Sequence, residues 1–72
     1  MKYKVTFKAY GEVVSSYTLP TEEEAISTVK SIAAKAMGYR SSEIVPKRES
    51  DIIRFFDING KKVRGISIKI MG

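Results

Sequence analysis

Only one stretch of this chain repeats its apolar residues at helical spacing, and segments that alternate with period two flank it on both sides. Ala25, Ile26, Val29, Ile32, Ala33, Ala36 and Met37 form one apolar stripe, the pattern of a helix with a single buried face. Thr21 stands at the N-cap position, and Glu24, the third helical residue, completes a capping box. Glu22, Glu23 and Glu24 set negative charge against the positive end of the helix dipole. Gly38 is placed as the C-terminal cap. A lone amphipathic helix has no second helix to pack on, so it has to lie across a sheet made by the rest of the chain.

The flanking segments supply that sheet. Tyr3, Val5, Phe7 and Ala9 fall on one face of a first strand, and Lys2, Lys4, Thr6 and Lys8 on the other. Val13 to Leu19 reads as the next strand, with Val13, Tyr17 and Leu19 in phase. A three-residue loop, Ala9-Tyr10-Gly11, joins the two; it pairs Phe7 with Val13, Val5 with Ser15 and Tyr3 with Tyr17, and sets Lys8 opposite Glu12. Beyond the helix, Glu43-Ile44-Val45 reads as a short strand that Pro46 confines to a sheet edge or a bulge. Ile52 to Ile58 and Val63 to Ile70 form a second hairpin around Asn59-Gly60. The apolar phase slips between Val63 and Ile66, and a bulge at Arg64-Gly65 returns Val63, Ile66, Ile68 and Ile70 to one core face. The predicted fold is α+β: a single domain over 1–72, ββα(β)ββ, one sheet with one helix on one face. With the first and last strands side by side in the middle and running parallel, it is β-grasp-like.

Size and composition narrow the function. A chain of 72 residues buries a small core and has little interior for a deep pocket. It has no histidine and no cysteine, which removes the commonest general base, the thiolate nucleophile and the commonest metal ligands. None of its serines sits in a Gly-x-Ser-x-Gly elbow, and its scattered glycines form no phosphate-binding loop. Glu43, Glu49 and Asp51 lack calcium-loop spacing and read as charge balance for Lys47 and Arg48. A non-enzyme without a cofactor or metal is expected. No apolar run approaches the ~20 residues of a membrane span, and the N-terminus alternates polar with apolar residues instead of presenting a signal peptide's apolar core. A cytoplasmic protein with no membrane partner is expected.

Charge points to the partner. Thirteen Lys and Arg against eight Asp and Glu leave a net charge of +5, and residues 37–72 carry most of it. Such a surplus suits a polyanion or an acidic surface, and equally suits plain solubility. One helix covers one face of the sheet, so the other is open. That face carries Lys2, Lys4, Thr6, Lys8, Val14, Ser16, Arg54, Phe56, Ser67 and Lys69, with Glu12 the one nearby acid and Phe56 the candidate stacking ring. A second basic cluster, Lys61, Lys62 and Arg64, flanks the Asn59-Gly60 turn, with Lys47 and Arg48 extending its rim and Asp57 pairing one of the lysines. The candidate binding residues are Lys2, Lys4, Lys8, Arg54, Phe56, Lys61, Lys62, Arg64 and Lys69. The same pattern also suits a solvated face whose lysines discourage edge pairing.

An Ala-rich helix from Ala25 to Met37, a short strand at Glu43 to Val45, and a closing hairpin around Asn59-Gly60-Lys61-Lys62 together resemble the layout of small phage-encoded, single-sheet anti-CRISPR proteins. The likeness spans most of the chain and is one of layout. It implies docking on a CRISPR effector surface, either an acidic patch or nucleic acid held within the complex. The expected function is a small basic binding module that docks on a protein or nucleoprotein target as a phage or mobile-element inhibitor. The alternatives are direct nucleic-acid binding through the open basic face and a self-pairing structural domain, as a monomer or a small homo-oligomer.

Overall fold

Five strands and one helix form in the computed structural model, which describes all 72 residues. In chain order they are β1 (Lys2–Ala9), β2 (Glu12–Leu19), α1 (Glu22–Ile32), β3 (Val45–Glu49), β4 (Ile52–Phe56) and β5 (Lys62–Met71). The strands make one sheet in the order β2-β1-β5-β4-β3, and every neighbouring pair is antiparallel. The α+β class and the single helix-covered sheet are therefore as the sequence predicts, with the first and last strands adjacent in the middle. Their direction is not: β5 runs antiparallel to β1. The cause is the segment around Pro46. It forms a full edge strand, Val45–Glu49, beginning after Ile44 and running through the proline. One added strand adds one reversal of the chain, so the last strand points the other way from a β-grasp strand.

The helix begins as its sequence requires. The Thr21 side-chain oxygen accepts from the Glu24 N–H at 3.2 Å, satisfying one of the free donors at the helix start. Ala25, Val29 and Ala33 are fully buried against the sheet. The final turn, Ala33–Met37, widens to π-helical geometry and ends at Gly38, whose φ of 75° is left-handed. Widening a turn rotates the residues that follow it, which leaves Ala36, expected on the apolar stripe, exposed.

The β1–β2 hairpin closes more tightly than predicted. Ala9 pairs with Glu12 and Lys8 with Val13, leaving Tyr10 and Gly11 as a two-residue turn, both at positive φ. Such a turn carries the twist of the strands it joins. Beyond it, Phe7 faces Ser15, so Val14 has no partner and forms a bulge. That bulge reverses the phase: Val5 faces Tyr17 and Tyr3 faces Leu19, while Val13 turns to the open side. The expected Lys8–Glu12 charge pair does not form.

The phase slip in β5 is resolved as expected. Val63, Ile66, Ile68 and Ile70 are all buried, together with Val5, Ile53 and Phe55 from β1 and β4. Gly65 lies in the irregular stretch at φ +84°, where a Cβ would stand 2.5 Å from the Lys8 carbonyl oxygen. Only glycine fits between these two central strands. No polar or charged side chain is buried in the core, and no helix is long and apolar enough to cross a membrane.

Candidate nucleic-acid interface

Directly opposed residues in antiparallel strands share a face, so the register maps the uncovered side of the sheet. Read from β2 to β3, one row is Thr18, Lys4, Lys69, Ile52 and Glu49, and the next is Ser16, Thr6, Ser67, Arg54 and Lys47. Toward the β1–β2 turn, Lys8 faces Val13, and Lys62 faces Phe56, which faces Val45. Lys2 stands at the opposite end, facing Met71. Of the predicted binding residues, Lys2, Lys4, Lys8, Arg54, Phe56, Lys62 and Lys69 share this face. Lys62 arrives from what read as a separate turn cluster, because β5 begins at that residue. Lys61 stays in the turn, and Arg64 is exposed in the irregular part of β5.

The compensating charges lie elsewhere than expected. The one ion pair within 4.0 Å joins Lys69 to Asp51, both well exposed. Asp57 takes no lysine side chain; its carboxylate accepts the backbone N–H groups of Asn59 and Lys61, each at 2.9 Å. An aspartate that bonds its own following backbone makes the turn and leaves Lys61 and Lys62 uncompensated by it. Glu43 serves its own 3-10 turn, accepting the Arg40 N–H at 2.9 Å. Lys47 and Arg48 alternate along β3 and so part to opposite faces; Arg48 donates from Nε to the Ser50 carbonyl at 3.3 Å. Lys4 and Lys69 directly face each other, an arrangement that weakens a sheet.

Phe56 is not a free stacking ring. It is half-buried, and Lys47 Nζ lies 5.0 Å from its ring centroid, within cation–π range.

The face is not flat. The irregular stretch of β5 opens a depression of about 250 Å³ lined by Thr6, Lys8, Arg54, Lys62, Gly65 and Ser67, with Ile52 and Ile66 at its sides. Its cations come from three strands, and no acid lines it. Arg54 Nε is shielded from solvent and finds no acceptor in the chain. Neither hydroxyl was singled out from the sequence, although Thr6 and Ser67 fall on the open face by alternation alone. A second cavity, about 520 Å³, runs between the helix and the β1–β2 hairpin, beside Phe7, Tyr17, Thr28 and Ile32.

The fold and this face define a small α+β protein whose sheet exposes a basic, hydroxyl-bearing surface. No family model, curated protein or solved structure matches the chain.

Proposed function

We propose that the protein is a non-enzymatic binding module that lays its open sheet face on the phosphate backbone of a nucleic acid, free or within a nucleoprotein complex. The observation that carries this reading is the middle of the face: Lys4, Thr6, Arg54, Ser67 and Lys69 stand in adjacent register positions on three neighbouring strands. Cations and hydroxyls are the side chains that contact phosphate and sugar. A protein partner would favour a central aromatic or aliphatic anchor, whereas the exposed apolar residues of this face, Val13 and Val45, lie at its corners. With Phe56 half-buried and Lys47 over its ring, base stacking contributes little, so weak sequence preference is expected. The layout likeness to CRISPR inhibitors is compatible with this reading where the nucleic acid sits inside an effector complex.

Binding of short DNA and RNA, single- and double-stranded, measured across a salt series tests it. The affinity should fall steeply with salt, with a slope of about 0.7–0.9 for each phosphate neutralised. Absence of binding at low salt would end the reading.

Self-pairing is a second reading that one observation favours. The β2 edge is eight residues long and carries no lysine, arginine or proline, and Val13, Val14 and Tyr17 are exposed on it. The β3 edge has Pro46, Lys47 and Arg48, residues that block strand addition. Sedimentation at micromolar concentration should show a dimer; a strict monomer removes this alternative.

A further inference from the structure

The depression around Arg54 differs in kind from the rest of the basic face, and we propose that it is a socket for the terminal phosphate of a nucleic-acid strand. This rests on the proposed backbone-binding role and assigns one part of the face to strand ends.

Three observations carry it. Lys8 from β1, Arg54 from β4 and Lys62 from β5 line one cavity of about 250 Å³ that no carboxylate lines. None of these three makes an ion pair within 4.0 Å. Arg54 Nε finds no acceptor in the chain, so no internal partner compensates the guanidinium that Arg54 brings to the lining. Thr6 and Ser67, opposite each other across β1 and β5, add two hydroxyls.

The charge and shape of the ligand follow. An internal phosphodiester carries one negative charge and offers two unbridged oxygens. A terminal phosphate carries about −1.5 to −2 at neutral pH and offers three acceptor oxygens. Three cations and two hydroxyls around one hole match the terminal group better. The hole is also sunk into the sheet where Gly65 touches the Lys8 backbone, so it receives a protruding end more readily than a continuous strand. The rows beyond it, through Lys4 and Lys69, remain available to the backbone.

The test uses one single-stranded oligonucleotide in three forms: 5′-phosphorylated, 3′-phosphorylated and unphosphorylated. A phosphorylated form should bind about tenfold more tightly than the unphosphorylated one, as expected for charge-assisted hydrogen bonds, and the two phosphorylated arms show which end is preferred. Arg54→Gln should erase the difference and also lower the affinity for all three forms, since Arg54 stands among the backbone contacts as well, and Lys62→Gln should reduce the difference should the arginine variant fold poorly. The preference should also shrink between about pH 7.5 and about pH 5.5, because the phosphate loses its second charge near pH 6. The chain has no histidine to titrate in that window. Equal binding of all three forms, with a steep salt dependence intact, would overturn the socket and leave the backbone reading standing. No binding of any form at low salt would instead remove the backbone reading on which the socket rests.

Discussion

Val5 and Thr6 are neighbours in β1, and the sheet sends them to opposite environments. Val5 is fully buried beneath the helix side. Thr6 faces outward between Ser16 and Ser67. The same division runs through β5 and β4, where Ile68 and Ile53 face each other in the core and Ser67 faces Arg54 outside. The buried side chains of the covered face are all apolar and hold the fold together. The open face sets Lys4 against Lys69 and leaves Arg54 Nε without an acceptor, so its side chains add little to the stability of the fold. Residues one position apart in sequence should therefore answer different measurements.

The largest expected effect is on the covered face. Phe55 is fully buried, and Phe55→Ala should cost about 3–5 kcal/mol. Against the roughly 4–11 kcal/mol available to a domain of this length, urea denaturation should show a large share of the stability gone. Arg54→Gln, one residue away, should shift the denaturation midpoint little and act on anion binding. Comparable losses of stability in both variants would break the division between the faces.

Gly65 is where the two faces meet, and it ranks next. Gly65→Ala combines a left-handed backbone with a Cβ 2.5 Å from the Lys8 carbonyl oxygen. The conformation alone costs about 1–3 kcal/mol, and the contact adds to it because both partners are central backbone. Gly11→Ala supplies the control: its φ is +78° with nothing within 4 Å of the added Cβ. Thermal melts should rank Gly65→Ala well below Gly11→Ala, and equal melting temperatures would show that β1 and β5 can move apart at the bulge.

How much of this was legible in the sequence follows from the same division. Alternation in β1 is local, and so is the capping of the helix by Thr21; both read directly. The slip between Val63 and Ile66 was visible because four buried aliphatic residues have to reach one core. The β1–β2 register was not, because Val13 and Val14 are both apolar and either could be the bulged residue. The direction of β5 depended on whether five residues containing Pro46 form a strand, which local propensity argues against and edge placement permits. The open face was legible as a set of residues but not as a shape. Lys8, Arg54 and Lys62 meet only after three strands align around the Gly65 irregularity, whereas Lys61 and Arg64, adjacent to Lys62 in sequence, do not line the depression.

The smallest effect sharpens the comparison most. Lys4 faces Lys69, and Lys69 already has Asp51 at 4.0 Å. Lys4→Gln removes a like-charge pair without touching the core, so stability should stay level or rise by a few tenths of a kcal/mol. If the open face carries a phosphate backbone, the salt slope of nucleic-acid binding should fall by about 0.7–0.9 in the same variant. Lys35→Gln removes the same charge from the exposed end of the helical segment, beside the other cavity. It lowers the net charge equally and should leave the slope unchanged. A slope that drops alike in both variants would mean that the nucleic acid responds to net charge alone, and the register of the open face would then carry no binding information. A slope that drops only for Lys4→Gln assigns the contact to the face, because the two variants differ in where the charge sits and in nothing else that the salt series reads.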